Sequence, residues 1–502
     1  MAHPPSTASP HDVNASFRGG ARSLDHLDRI NKASAVALTE AGVLAPDVAR
    51  RVASGILQVI DLERGAPRDG SADYLDYEPK LLAAIGVDGS RLHSGRSRQD
   101  ISATIARMNL RDGLLDAGEA LNRARESLLA LARQHRHTLI PAYTHGVQAQ
   151  PTTLAHYLLG LAGALDRNVD RMRAAHGHVN RSPLGAAALT TSSFPIDRRR
   201  LADLLGFDGP VENAYDANHL APVDSSLEVA AVLGIAAVQV GQFAQDLHAQ
   251  YQAPVPWITL QRGELVGVSS IMPQKRNPAA LEQLRVQSSI LLGESQTVAL
   301  TAHNVRTGMF DYRAYDPVPS ARALLVFELL RKVLGGLVVD KDRARAEIDS
   351  DYSTATEVAD LLAQRANVPF RTGHEFASVL TDFGRSGKIA LRDITHAEAA
   401  RLYESMTSQP MPLSAQEFAE ATSAEHMVFG RKGLGGPQVE EVDRMLAHEA
   451  RLLQADLDWV RAQRDQLSKA DARLDAAISA IAKGRTPSIT SITSITDFEV
   501  TP

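Results

Sequence analysis

Apolar positions recur with helical spacing through most of the chain. Leu110, Leu114, Ala117, Leu121, Ala124, Leu128 and Leu131 follow one another at alternating steps of four and three residues, which puts them on one stripe of a single helix. Extended back to Asp100, that helix approaches about 50 Å at 1.5 Å per residue. A second helix is predicted to open at DSSLEVAAVLGIAAVQVGQF, with Ser225 and Glu228 as a capping box and Asp224 as an alternative cap. Its residues are apolar nearly all round, the pattern of a helix buried on every side. A third is predicted from QPTTLAHYLLGLAGAL with Pro151 near its first turn, and a fourth after Asn277 as N-cap with Pro278 as first helical residue. Long helices of this kind imply a bundle whose core continues across subunits, so an all-α oligomer is expected.

Composition agrees with that pattern and narrows the partners. Aromatic residues make up only 5% of the 502-residue chain while 44% is hydrophobic, a balance that suits packed helices better than a β-sandwich. The formal net charge of -6 argues against nucleic acid as a partner. Without cysteine there is no disulfide, thiolate nucleophile or thiolate-bound metal. The 17 histidines form no HExxH or comparable metal pattern, and the HRH at 135–137 sits at a helix end, where basic residues favour the dipole. GLGG at 433–436 reads as a turn, and no phosphate-binding glycine loop is found, so neither metal nor cofactor is expected. No uninterrupted run of about 20 apolar residues predicts a membrane span. The start, MAHPPSTASPHDVNASF, lacks the basic and apolar parts of a signal peptide. A cytoplasmic protein with no membrane contact is the expectation.

Three stretches have the residue types of chemistry. RLHSGRSRQD (91–100) offers Arg96 and Arg98 as carboxylate forks, Ser97 and Gln99 as neutral partners, and a helix start that favours an anion. An N-capping loop with its arginines in salt bridges accounts for the same residues. YTHGVQAQPTT (143–153) carries Thr144, His145 and Gln150; histidine titrates near neutrality, although a loop hydrogen-bond network would also use it. SSIMPQKRNP (269–278) carries Ser269, Lys275 and Asn277. A helix cap explains its Asn-Pro pair but not the order Met272, Pro273, Gln274, Lys275.

Taken together, the three stretches resemble the argininosuccinate lyase branch of the fumarase/aspartase superfamily. SPLGAAALTTSSFPIDR (182–198) and ATEVADLLAQRANVPFRTGHEF (355–376) extend the likeness over roughly residues 70 to 380. The resemblance implies a three-domain all-α fold whose long helices form a twenty-helix core in a homotetramer, with each active site shared by three subunits. It implies reversible elimination of fumarate from an N-substituted L-aspartate through an aci-carboxylate intermediate. By resemblance Ser269 is the general base and His145 is catalytic, as proton donor or orienting group. Lys275, Asn277, Ser97, Arg98, Gln99, Thr144 and Gln150 contact the substrate, and Gly267 is a hinge for loop closure. The expected organisation is a disordered tail over 1–18, an N-terminal helical domain over 19–105, the bundle over 106–355, a C-terminal helical domain over 356–465, and a final helix with an SIT-repeat tail over 466–502.

Four departures from the family pattern stand out, and the last concerns the amine half. Gln99 replaces an asparagine, which shifts a carboxylate contact, Val268 replaces a glycine, and Gly146-Val147 a Leu-Gln pair. AHNVRTGMFDYRAYDP (302–317) lacks the family's Gln-Glu-Asp-Lys run and looks more like paralogues acting on other amines, such as ethylenediaminedisuccinate lyase. A paralogue with a different amine is therefore the leading expectation. A true argininosuccinate lyase of arginine biosynthesis is the alternative, and a non-catalytic structural member of the family is a third reading.

Overall fold

The computed structural model describes residues 21–64, 72–309 and 320–485. The N-terminal helices are α1 (Ala21–Glu40), α2 (Pro46–Glu63) and α3 (Tyr74–Ile85). Next come α4 (Arg98–Gln134), the hairpin β1 (Leu139–Thr144) and β2 (Val147–Thr153), α5 (Leu154–Val179), α6 (Arg198–Leu204), α7 (Ala214–His219) and α8 (Ala221–Tyr251). Then follow β3 (Ile258–Leu260), β4 (Gly267–Val268), β5 (Arg276–Asn277), α9 (Ala279–Ala302), α10 (Ser320–Gly335), β6 (Leu337–Val339) and α11 (Lys341–Asp349). The chain ends with α12 (Ala355–Ala366), α13 (Phe370–Gly387), α14 (His396–Thr407), α15 (Ala415–Ala421), α16 (Ala424–Phe429) and α17 (Val439–Ala482). The fold is all-α, as expected; among the described residues the strands form three two-stranded sheets.

The seven residues of the predicted stripe are all buried along α4. They pack with α5, α8, α9 and α10 into one core that includes Leu158, Val169, Leu233, Val240, Leu284 and Phe327. Because each connection returns the chain, α4, α5, α8, α9 and α10 alternate in direction, an up-and-down bundle. α4 has 37 residues and is therefore about 55 Å long. By length and composition α8 would suffice to cross a membrane, where no span was predicted. Here it is the central helix, with Val229, Leu233, Ala236, Val240, Phe243 and Leu247 buried against its neighbours.

Separate cores flank the bundle. One joins α1, α2 and α3 to Leu201, Leu205, Leu474 and Ile478; the other holds Val358, Leu362, Phe376, Leu380, Tyr403 and Phe418. The 44-residue α17 runs along the bundle and ends on the N-terminal core, so the expected domain border at 465/466 falls inside a continuous helix. The 1–18 tail and the SIT repeats lie outside the described residues.

Three predicted helix starts are corrected. α8 begins at Ala221, with Leu220 as N-cap and Pro222 in its first turn. Ser225 and Ser226 instead donate to the carbonyls of Ala221 and Pro222, at 2.8 and 3.0 Å, and Glu228 pairs with His178. Proline fixes the start earlier than the polar cap signal suggested. Pro151 lies in β2, and α5 starts at Leu154 behind Thr153, whose hydroxyl accepts from His156 N at 3.2 Å. Asn277 is not the cap of α9: it pairs with Gly267 in a ladder, and Pro278 takes the N-cap position.

Candidate active site

The HSGRSRQD motif forms the N-terminal cap of α4. Ser97 closes a capping box with Asp100, and its hydroxyl accepts from Gln99 N at 3.1 Å. Arg96 is buried, donates to Ser34 Oγ at 3.0 Å and stacks 4.5 Å over the Tyr74 ring. Arg98 is exposed and forks onto Asp73, the N-cap of α3, with Nε–Oδ1 at 2.9 Å. The Asp73 hydrogen bond pushes the Arg98 pKa above its ordinary value. Gln99 uses its longer side chain within the protein, donating from Nε2 to the carbonyl of Asn218 at 3.2 Å. In the single chain this motif therefore has the capping and ion-pair structure that its residues allowed, with Arg98 held in place by Asp73. Neither Asp73 nor Asp100 was singled out in the sequence. The Ser-x-x-Asp spacing of 97–100 was the available signal for Asp100; the Asp73 contact crosses 25 residues and has no local signature.

The YTH stretch is a β-hairpin tip rather than an irregular loop. Thr144 pairs with Val147 across His145 and Gly146, whose φ values are 54° and 76°. Left-handed φ at both central residues is the type I′ pattern, and a histidine there is one of the few side chains that tolerates it. Thr144, His145 and Gln150 are exposed. Gln150 donates to Thr356 Oγ1 at 3.3 Å, tying the hairpin to the C-terminal domain.

The SSIMPQKRNP loop is closed by a short antiparallel ladder, Gly267 to Asn277 and Val268 to Arg276. Ser269 Oγ accepts from Met272 N at 3.1 Å, and Lys275 N donates to Met272 O at 3.0 Å. Arg276 donates to the carbonyls of Pro273 and Lys275, at 2.7 and 2.9 Å. Lys275 is exposed and has no acidic partner among the described residues. Gly267, the expected hinge, is a ladder residue without left-handed φ. Val268 and Ile271 are 80% and 83% exposed.

The placement along the bundle matters most. Ser97, Arg98 and Gln99 sit where α4 begins, and the hairpin with Thr144 and His145 follows its end, so about 55 Å of helix separates them. The SSIMPQKRNP loop lies at the hairpin's end. Tyr143 donates to Gln250 Oε1 at 3.4 Å near the end of α8, and Tyr251 donates to Arg276 O at 3.2 Å. One end thus gathers His145, Thr144, Ser269, Lys275 and Asn277, and the opposite end holds Ser97, Arg98 and Gln99. Residues 302–309 belong to that opposite end: Thr307 Oγ1 is 3.1 Å from the Tyr215 hydroxyl, and a cleft beside them is lined by His219, Asp224, Val305 and Arg306. Residues 310–317 of the rewritten segment lie outside the described residues.

Comparison with known proteins gives the family. A lyase family model matches residues 80–293, and a model for the argininosuccinate lyase C-terminal region matches 352–428. Argininosuccinate lyase 2 of Agrobacterium fabrum is 32% identical over 460 residues, covering 89% of this chain and 90% of its own. The chain belongs to the argininosuccinate lyase branch of the fumarase/aspartase superfamily. The argininosuccinate lyase of Methanoculleus marisnigri is likewise 32% identical, over 88% of this chain and 90% of its own. An EDDS lyase variant with bound fumarate superposes with a TM-score of 0.84 at 28% identity, covering 94% of this chain and 95% of that one. A fumarate lyase from Mesorhizobium sp. BNC1, at 21% identity and a TM-score of 0.68, shares the fold. This lyase is a carbon–nitrogen lyase of that branch, one that eliminates fumarate.

Proposed function

We propose that this lyase reversibly eliminates fumarate from an N-substituted L-aspartate, with argininosuccinate as the first substrate to try. The carrying observation is the loop with Ser269 and Lys275 at the same bundle end as the His145 hairpin, with no acidic partner for Lys275 among the described residues. Removing a proton from carbon beside a carboxylate creates a dianionic intermediate, so fixed positive charge and donors must await it. In this reading Ser269 takes the Cβ proton. Its hydroxyl is a poor base in water and works only once covered. Lys275 and Asn277 hold the carboxylate on which charge develops, Thr144 and Gln150 add donors, and His145 serves the departing nitrogen or orients the groups that do. The exposed Val268 and Ile271 are the surfaces that closure would cover.

Ser97, Arg98 and Gln99 join these groups only from other chains, since their own chain holds them a helix length away. A homotetramer with sites shared by three subunits supplies them. Ile235 and Val238 on α8 and Val286 and Ile290 on α9 are about half exposed, and this apolar face supports burial between subunits.

The argininosuccinate reading is supported by the names of the curated relatives. A second reading, another amine, is supported by the missing acidic run at 302–317. Purified enzyme given fumarate with arginine, and separately with diamines, separates them by loss of fumarate absorbance. Consumption with arginine supports the first reading, consumption with a diamine alone supports the second, and consumption with neither, together with no cleavage of argininosuccinate, overturns both.

A further inference from the structure

Asp100 serves two structures with its two carboxylate oxygens. Oδ1 completes the cap of α4, accepting from Ser97 N at 3.1 Å and from the Ser97 hydroxyl. It also accepts from Ala188 N at 3.2 Å, while Oδ2 accepts from Ala187 N at 3.3 Å. The carboxylate is fully buried. Ala187 and Ala188 have φ of 46° and 76°, and Thr191 follows at 63°. A β-carbon opposes this region, so consecutive alanines stay there only where the surroundings over-determine them. The surroundings do so: beyond the two amide bonds to Asp100, Asn218 Nδ2 donates to Ala188 O at 2.9 Å, and Gln99 Nε2 donates to Asn218 O at 3.2 Å.

That locked pair controls where the next residues go. Leu189 to Pro195 emerge exposed, with four consecutive hydroxyl residues from Thr190 to Ser193. They lie against the HSGRSRQD motif: a β-carbon on Gly95 would collide with Ile196 Cδ1 and come within 3.1 Å of Ser192 Oγ. Ser192 accepts from Phe194 N at 3.3 Å. The hydroxyls of Thr190, Thr191 and Ser193 make no hydrogen bond among the described residues.

We infer that Asp100 is a positioning residue of the lyase site: by locking the Ala187–Ala188 turn it presents the Thr190 and Thr191 hydroxyls beside Ser97 as donors to a substrate carboxylate. The inference rests on the lyase reading and adds a fourth stretch of chain to it. Asp100→Asn separates the two duties of the side chain. Its remaining oxygen can serve the Ser97 cap, while its NH2 meets the Ala187 N–H donor to donor. Glycine at 187 and 188 adopts the same φ without an opposing β-carbon.

The test measures fumarate affinity by calorimetry and the KM-against-kcat split on tetrameric enzyme. Asp100→Asn is expected to weaken fumarate binding and raise KM about tenfold, with kcat changed by less than about threefold. Adding Ala187→Gly and Ala188→Gly should recover most of that loss. Thr190→Val with Thr191→Val, on exposed positions that leave the fold intact, should raise KM by a similar factor. The inference is overturned by a loss in Asp100→Asn that the glycines do not recover, by an unaltered Asp100→Asn, or by an unaltered threonine pair. If Asp100→Asn does not fold, the threonine pair decides alone. An enzyme that consumes no amine defeats the lyase reading instead, and the calorimetric arm still reads the turn and the hydroxyls.

Discussion

At Ser269 and Asn277 the structure reverses which side chain gives the clearer experiment. Asn277 was expected to cap α9 as well as meet a carboxylate, which would have confounded its removal. It caps nothing: Pro278 holds that position and Asn277 lies in the ladder with its backbone. Asn277→Ala should therefore leave thermal stability nearly unchanged while raising KM for fumarate about tenfold or more. Ser269 does hold a loop contact, accepting from Met272 N, so Ser269→Ala changes the loop slightly. Its expected effect is still a fall in kcat of about a thousandfold, with KM within about threefold; full turnover would show that another group takes the proton. His145 needs a substitution that keeps its left-handed turn. Asparagine tolerates that region, so His145→Asn should preserve the hairpin and lower kcat about a hundredfold, whereas a β-branched residue would also deform the tip.

Among elements, helices were legible and their starts were not. The stripe of α4 is a periodicity of one face, and burial of one face is what periodicity reports. The start of α8 was misread because Asp224, Ser225 and Glu228 form a good local cap pattern, yet Pro222 and the tertiary contacts of Ala221 extend the helix past it. The β1–β2 hairpin was missed because Thr-His-Gly-Val lacks the usual Asn-Gly signal. Contacts distant in sequence, such as Arg98 with Asp73 or Asp100 with Ala187, leave no pattern in a single chain. One such contact fixes α17. Arg125, 1% exposed, donates to Asp456 and Asp166 at 2.5 and 2.7 Å and so ties α4, α5 and α17 together. Arg125→Met takes the cation from Asp166 and leaves Asp456 with Arg173, 3.2 Å away, and should cost about 3 kcal/mol, measured by denaturant unfolding; replacing Asp166 by Leu in the same protein should return part of it. Packing also sets a pH response. Burial lowers the His26 pKa and takes His176 down to about 4. The unfolded chain then binds these protons first, from about pH 6.5 downward. Stability should fall between about pH 6.5 and 4, and His176→Phe, which keeps an aromatic edge against Trp459, should flatten the slope.

For the whole molecule, the proposed function assigns the two ends of the bundle to different sites. A protein carrying Ser269→Ala and another carrying Arg98→Met should each be inactive in the tetramer. Mixed by unfolding and refolding together, they should regain activity, up to about a quarter of the sites if subunits assort at random. Sites confined to one chain would regain none, so zero recovery in tetramers shown to be mixed contradicts the shared-site arrangement. A monomeric protein by light scattering, active at the same dilution, would contradict it as well.

The span of α4 then has a meaning beyond packing. Under the proposed shared-site arrangement, a helix of about 55 Å works as a measured rod whose two tips meet counterparts on other chains. An insertion of one heptad at its middle would keep the buried stripe nearly in register but displace one tip by about 10 Å. Such a chain could retain its own core and still assemble without a working site. In that arrangement length is constrained as tightly as any side chain of the site, and insertions compatible with function belong in the surface loops and flanking cores rather than in the rods of the bundle.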